Sequence, residues 1–342
     1  MKVALVYTGA TEETLAESPE MVLNLADAPE TIEAVKAALE AGGHVVIPLN
    51  TDRQLPAVLT EAAFDIVFNI ATGYYGDTKQ ANVPAMLEYL RIPHTGASVL
   101  GEVLAHHKPT MKAILLAHGL PTPPFQHFDR ADAPLDSSLR FPLIVKLPFE
   151  GGSLGMTPDS VVRDEAALRV QLALLLDKYQ QGALAEEYLD GREFTVSVLG
   201  NDPPYMLPIV ERRYFDNIRI QLDAPEPTTE AMLKQVTGLD AEYIEYNSDS
   251  VAPADLTDAE AAQIEAAAVG AYRVLRCRDW VRIDLRMDER GVAQLIDVNH
   301  EPAIAPDYAV ARAARAAGWT YNQLVNRILE HALERYPWLT AE

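Results

Sequence analysis

Trp280-Val281-Arg282-Ile283-Asp284-Leu285-Arg286-Met287, the turn Asp288-Glu289-Arg290-Gly291, and Val292-Ala293-Gln294-Leu295-Ile296-Asp297-Val298-Asn299 read as two strands joined into a hairpin. Residues two apart on a strand share a face, so Arg282 and Asp284 point one way, and Asp297 and Asn299 share a face of their own. If the hairpin aligns those faces, two carboxylates, one amide oxygen and one guanidinium converge. Oxygen ligands of this kind suit magnesium, which keeps several waters and bridges to nucleotide phosphates. The competing reading is a solvated polar face of an ordinary antiparallel hairpin.

Upstream, Glu150-Gly151-Gly152-Ser153-Leu154-Gly155 follows a strand carrying Lys146. Clustered glycines let backbone N–H groups approach anionic oxygens, and a lysine nearby adds a point charge. No Gly-Lys-Ser/Thr follows, so this is not a Walker A loop, and a plain hairpin turn is the alternative. The same run matches the Gly-x-Ser-x-Gly elbow of serine hydrolases, with Ser153 as nucleophile and Asp297 with His300 or His331 as partners. An elbow needs a helix directly after the serine, whereas Thr157-Pro158 and Asp159-Ser160 interrupt one. Glu186-Glu187-Tyr188-Leu189 followed by Glu193 puts a strand end before a carboxylate, which can offer backbone groups to a purine edge and oxygens to ribose hydroxyls. His106 and His107 lack companions at ligand spacing.

The first hundred residues alternate apolar runs (Val3–Tyr7, Val45–Leu49, Ile66–Ile70) with helical patterns (Pro29–Ala41, Val83–Leu90), the signature of βαβ units on a parallel sheet. Gly42-Gly43 sits where a helix C-terminal glycine belongs. A helix to about His118, strands at Phe141–Leu147 and Leu184–Leu189 and a helix at Glu165–Tyr179 make an α+β module. A strand at Glu193–Leu199, a helix at Thr257–Arg276, the hairpin, and helices at Tyr308–Ala317 and Tyr321–Tyr336 complete the chain. Residues 214–254 are polar and aperiodic, the pattern of a functional lid or a disordered segment. The expected domains are 1–104, 105–190 and 191–342, the last holding the lid.

The 342 residues, 49% hydrophobic, provide for two or three cores at roughly 100–200 residues each and exclude a disordered chain. A net charge of -22 argues against nucleic acid or an anionic membrane surface as the main partner, while leaving room for a local basic pocket. Cys277 stands alone, so no intramolecular disulfide forms. No apolar run reaches the ~20 residues of a membrane span, and a cytoplasmic protein is expected.

Taken in order, Phe68-Asn69-Ile70, Leu87-Glu88-Tyr89-Leu90-Arg91-Ile92-Pro93-His94-Thr95-Gly96, Lys108 with Lys112, Gly119-Leu120-Pro121-Thr122-Pro123, Val145-Lys146, Gly152-Ser153-Leu154-Gly155-Met156, Glu186 to Glu193, Arg282-Ile283-Asp284 and Asp297-Val298-Asn299 resemble the D-alanine–D-alanine ligase family of ATP-grasp enzymes. The resemblance runs from about Asp65 to Leu333. It implies an ATP-grasp fold, mixed α/β and α+β, with an N-terminal Rossmann-like domain. It also implies an ADP-forming carboxylate–amine ligase that works through an acylphosphate. By position, Lys108 and Lys146 match the phosphate lysines, and Gly152, Ser153, Gly155 and Met156 the loop closing over the phosphates. Glu186 and the backbone of Leu189 match the adenine contacts, and Glu193 the ribose carboxylate. Asp284, Asp297 and Asn299 match the ligands of magnesium or manganese, two ions in all. Arg282 matches the arginine that faces the developing oxyanion, and Ser153 counts with it among the catalytic residues.

The departures from the family pattern lie mostly on the substrate side. Thr72 stands for a histidine, Ala303 for a glycine, Tyr308 for a substrate-binding serine, and Asp297 for a glutamate. Glu245-Tyr246 falls where the lid has Lys-Tyr, and Glu13 matches the N-terminal motif only loosely. ATP chemistry is thus expected on a small carboxylate and a small amine of the amino-acid class, with a product other than D-alanyl-D-alanine. The family also implies a homodimer. The alternatives are a true D-alanine–D-alanine ligase and a non-catalytic nucleotide-binding relative. Arg282 counts against the second, because it serves the chemical step rather than ATP affinity.

Overall fold

The computed structural model describes residues 1–17, 25–151, 153–214 and 248–340. In the N-terminal part, β1 (Lys2–Tyr7) leads through α1 (Glu12–Glu17) and α2 (Pro29–Ala41) to β2 (Val45–Asn50), and α3 (Leu55–Glu61) leads on to β3 (Ile66–Asn69). The three strands pair in parallel in the order β2-β1-β3, as the βαβ alternation requires. Proline sits in the first turn of α2, and Gly43 supplies the left-handed residue, φ +83°, just beyond its end. One sheet face buries Ala4, Val6 and Val67 against Leu59 of α3 and Leu87 of α4 (Asn82–Leu90). The other buries Val3, Leu5 and Phe68 against Val35 and Leu39 of α2, and against Val325, Ile328 and Leu329 from the C-terminal helix Tyr321–Leu333. The last helix of the chain therefore roofs its first sheet.

Helices α5 (Val99–His106) and α6 (Lys108–Ala117) lead into a four-stranded sheet of β4 (Phe125–Phe128), β5 (Leu143–Lys146), β6 (Val161–Val162) and β7 (Ala183–Glu187), with α7 (Glu165–Tyr179) packed on it. Its order is β4-β7-β5-β6, every pair antiparallel. Asp164 caps α7 by accepting from the Ala167 N–H, and Leu168, Leu172 and Leu175 at helical spacing bury against Val145 and Ala185.

A six-stranded antiparallel sheet follows: β8 (Glu193–Leu199), β9 (Tyr205–Met206), β10 (Val210–Tyr214), β11 (Ser248–Val251), β12 (Trp280–Met287) and β13 (Ala293–Asn299). β12 lies between β8 and β13, and α8 (Asp258–Val274), started by a Thr257/Glu260 capping box, covers the apolar face. That face takes Val281, Ile283, Leu285 and Met287 from β12, and Ala293 and Leu295 from β13, yet also Val298. The change of parity comes from a bulge. Asp284 faces Asp297 while Leu285 faces Leu295, so Ile296 has no partner of its own.

Several elements differ from the sequence expectation. Helices α3 and α5 and strand β4 are too short to show a period. The strand expected at Phe141–Leu147 shortens to Leu143–Lys146, and that at Leu184–Leu189 becomes Ala183–Glu187, leaving Leu189 in the connection. Of the polar stretch 214–254, Ser248–Val251 forms an edge strand on β10, and 215–247, including Glu245 and Tyr246, lies outside the described residues. No helix among the described residues is long and apolar enough to cross a membrane.

The N- and C-terminal parts are also tied by Asp279, fully buried, which accepts from the Gly96 N–H at 2.8 Å and from Arg335, itself bound to the His94 carbonyl at 2.8 Å. Because the C-terminal helix covers the N-terminal sheet, Ile328→Ala is expected to cost about 2–5 kcal/mol. Thermal unfolding followed by circular dichroism checks it, with an alanine substitution on the solvent side of the same helix, at Arg327 or Glu330, as control.

Candidate active site

An open cleft, about 910 Å³ when the solvent space at its opening is counted in, lies between the four-stranded and six-stranded sheets. β12 and β13 form its floor. Arg282 pairs across the ladder with Asn299, and Asp284 with Asp297, so the bulge does align the two polar faces. Arg282 Nη2 lies 3.0 Å from Asp284 Oδ2, to which Asn299 Nδ2 also donates at 3.4 Å, while Thr195 Oγ1 donates to Oδ1 at 3.0 Å. Burial pushes the Asp284 carboxyl up, with Arg282 opposing and Asp297 adding to the rise. Burial would push Asp297 up too, but Lys108, Lys146 and Arg282 bring it below the usual range. Two adjacent carboxylates, one ionised easily and the other reluctantly, are a place where a divalent cation relieves like-charge repulsion.

Among the described residues no cluster of three or more His, Cys, Asp or Glu side chains could hold a metal ion. The donor set here is two carboxylates and an amide, which fits magnesium completed by phosphate oxygens and water.

Lysines line the opposite side. Lys108, in the first turn of α6, donates to the Glu150 carbonyl at 2.7 Å and lies 3.6 Å from Asp297. Lys146, the last residue of β5, reaches Glu186 Oε1 at 2.5 Å, and Lys112 reaches Oε2 at 2.7 Å. Burial would raise the Glu186 carboxyl, but the two lysines hold it below its ordinary value. Burial brings the Lys112 ammonium down to about 8 against the pull of Glu186. Ser153 adopts a left-handed φ of +59°, a strain of about 1–3 kcal/mol of the kind found at ligand clamps.

At the far end Glu193 is buried and paired with Arg286 at 3.1 Å, and the Arg286 guanidinium lies 5.4 Å from the rings of both Tyr188 and Tyr214.

Lys108, Lys146, Ser153, Met156, Glu186, Leu189, Glu193, Arg282, Asp284, Asp297 and Asn299 therefore all line one cleft. Gly155 does not line it: its backbone, φ +74°, packs so that a Cβ would meet Tyr179 at 3.0 Å. Gly152 lies outside the described residues. The structure adds Glu150, Glu187, Tyr188 and Arg286 to the lining. Arg286 was legible as the third polar residue of the Arg282, Asp284, Arg286 alternation. Glu187 and Tyr188 lie inside the run read as the strand end before Glu193, but nothing in that run singles out either side chain.

The hydrolase arrangement is not formed. No α-helix follows Ser153 before Glu165, His300 is buried beside Cys277, and His331 bonds Tyr205 and Glu334. Neither histidine lines the cleft that Ser153 lines. Burial also drops His300 to about 4, which removes it as a base near neutrality.

The family model described as "D-ala D-ala ligase C-terminus" matches residues 114–330. The chain belongs to the D-alanine–D-alanine ligase family. It is 33% identical over 312 residues to the y4sG protein of Sinorhizobium fredii, spanning 89% of this chain and 88% of that one. It is also 33% identical over 313 residues to a D-alanine–D-alanine ligase of Moorella thermoacetica, spanning 88% and 93%. The fold matches that of a Bacillus anthracis D-alanine–D-alanine ligase crystallised with ATP, with TM-score 0.74 at 20% identity over 98% of each chain. The protein is accordingly an ATP-grasp, ADP-forming carboxylate–amine ligase.

Two outcomes test the site. Asp297→Asn keeps the volume but loses the charge, and magnesium-dependent ADP release is expected to fall about 100-fold or more, equivalent to ~2.7 kcal/mol, with the circular dichroism spectrum unchanged. Wild-type turnover at ordinary magnesium would rule out Asp297 as a ligand.

The second test concerns pH. A carboxyl whose native pKa is depressed contributes stability that is whole above its unfolded-state pKa and is lost as pH falls through the native value. For Glu186 the depression is set against burial by Lys112 and Lys146. Denaturation of the wild type and of Glu186→Gln is expected to differ by about 3–5 kcal/mol at neutral pH, with the difference shrinking as the pH falls below the ordinary glutamate range and vanishing only below the depressed native value.

Proposed function

We propose that this ligase joins a small carboxylic acid to a small amine of the amino-acid class, through an acylphosphate, and that its product is not D-alanyl-D-alanine. The observation that carries the reading is the cross-strand pairing of Arg282 with Asn299 and of Asp284 with Asp297 beneath Lys108 and Lys146. In this reading Lys108 and Lys146 hold the ATP phosphates, while Ser153 and Met156, with Gly152 and Gly155 in the same loop, cover them. The edge of β7 at Glu186 and the connection at Leu189 take the adenine, and Glu193, held by Arg286, takes the ribose hydroxyls.

Asp284, Asp297 and Asn299 would hold magnesium, or manganese in its place, as a pair of ions. When bound, the metal neutralises charge on the transferring phosphoryl group. Asp297, one methylene shorter than a glutamate, keeps the charge that position needs. The substrate carboxylate attacks the γ-phosphate and releases ADP, and the amine then displaces phosphate to give the amide. Arg282, held by Asp284, offers fixed positive charge to the oxyanion of that second step, with Ser153 at the mouth of the same cleft. Closure of the loop over the phosphates keeps water from the acylphosphate.

Support for a changed substrate comes from three positions. The Thr72 hydroxyl is spent on the Leu25 carbonyl at 2.5 Å, Ala303 carries no polar group, and Tyr308 stands 37% exposed at the start of the helix Ala309–Ala316. A site built on specific polar contacts discriminates strongly when those contacts change. We also propose the partition 1–104, 105–190 and 191–342, with the C-terminal helix bridging first and last, a lid within 214–254, a homodimer, and a cytoplasmic location.

ADP release measured across D-alanine, L-amino acids and simple hydroxy and amino acids tests the substrate. D-alanine alone is expected to stimulate poorly, at least about tenfold below the best pair. A D-alanyl dipeptide as the best product, confirmed by mass, restores the usual family reaction.

A further inference from the structure

Lys79 is a buried lysine that the chemistry above does not use. It opens the 3-10 turn Lys79–Ala81 ahead of α4 and is 3% exposed. Its ammonium lies 2.8 and 2.7 Å from the two carboxylate oxygens of Glu150, whose side chain is 8% exposed. Gln181 Nε2 donates to the same carboxylate at 3.2 Å. The backbone carbonyl of Glu150 meanwhile accepts from Lys108 Nζ at 2.7 Å. One residue at the mouth of the glycine loop is thus gripped at its side chain by the N-terminal part of the chain and at its carbonyl by a cleft lysine.

The grip extends backwards as well. Gly73 has φ +72°, and a Cβ there would lie 2.7 Å from the Lys79 carbonyl oxygen. The Thr72-Gly73 segment, where the family pattern is broken on the substrate side, is therefore seated directly on Lys79. A carbonyl followed by glycine is free to rotate unless something fixes it. An ammonium hung on that carbonyl is placed only as well as the carbonyl itself, and misplacing a charged group by about an ångström costs up to 100-fold.

We propose that Lys79 is a positioning residue for the nucleotide end of the cleft: its ion pair with Glu150 fixes the carbonyl that orients Lys108, and it links that lysine mechanically to the Thr72-Gly73 segment. This rests on the reading of the cleft as the ATP site.

The test compares the full-length wild type with Lys79→Met, Lys79→Arg and the double variant Lys79→Met/Glu150→Gln. The readouts are the melting temperature, ATP binding by calorimetry in the presence of magnesium, and KM for ATP against kcat in ADP release. Lys79→Met strands a buried carboxylate and is expected to melt lower. The double variant has no stranded charge, so its melting temperature is expected to return while its KM and Kd for ATP stay about tenfold above wild type, with kcat changed less. Lys79→Arg, which keeps the charge and the donors, is expected to recover most of that affinity.

A double variant with wild-type melting and wild-type ATP affinity overturns the proposal, because Lys79 would then only neutralise Glu150. Failure of Lys79→Met to fold leaves the double variant to decide. Absence of ATP binding by the wild type overturns the reading of the cleft and the proposal with it. Normal wild-type binding with unaltered variants overturns the proposal alone.

Discussion

A carboxylate sealed from water has to be matched oxygen by oxygen, and Glu186 is matched by Lys112 on one side and Lys146 on the other. The two lysines come from α6 and β5, so this neutralisation locks a helix to the sheet that carries the cleft. Lys112 also donates to Thr122 Oγ1 at 2.7 Å, and Thr122 to the Leu295 carbonyl at 2.7 Å on β13. Four side chains and one carbonyl therefore set the distance between the lysine wall and the carboxylate floor. Burying such a pair gives little net stability by itself, and breaking it costs several kcal/mol. Its value is that the wrong spacing leaves a bare charge.

The whole molecule and its cleft have opposite electrical characters. A chain of net charge -22 repels an anion at long range, yet Lys108, Lys112, Lys146, Arg282 and Arg286 lie in or beside the cleft. With a Debye length of about 8 Å at physiological salt, distant acidic side chains are screened and the local cations dominate inside the walls. Asp284 and Asp297 at the floor would oppose a phosphate chain if they stood alone. Arg282, Lys108 and Lys146 beside them balance part of that charge. Such a site holds anions through close contacts rather than by attraction from afar.

Much of this was readable from residue order. The helix Glu165–Tyr179 and strand Glu193–Leu199 appear in the structure with the bounds their periodicity gave, since each carries its own apolar face and stop signals. The Arg282, Asp284, Asp297 and Asn299 grouping was legible because i and i+2 alternation is local. The alignment of the two strands was not, because it depends on Ile296 being left unpaired, and nothing in a run of Leu295-Ile296 marks a bulge. Lys79 was equally silent. It looks like any surface lysine until folding brings Glu150, seventy-one positions later, against it. The C-terminal helix revealed its apolar stripe but not that its partner would be the first sheet of the chain.

The bulge at Ile296 gives β13 two halves that run out of phase. Between the turn and Leu295 the strand keeps time with the apolar core under α8, and from Asp297 onward it keeps time with the cleft. Length changes in the turn at 288–291 fall before the phase slip and leave the second half in step with its neighbour. A single residue lost between Leu295 and Asp297 would exchange the two faces, sending carboxylate and amide into hydrocarbon and Val298 into the cleft. The hairpin can therefore change length on the turn side of Ile296 but not between Ile296 and Asp297, and a graft of this strand into another sheet must carry the unpaired residue along with Asp297 and Asn299.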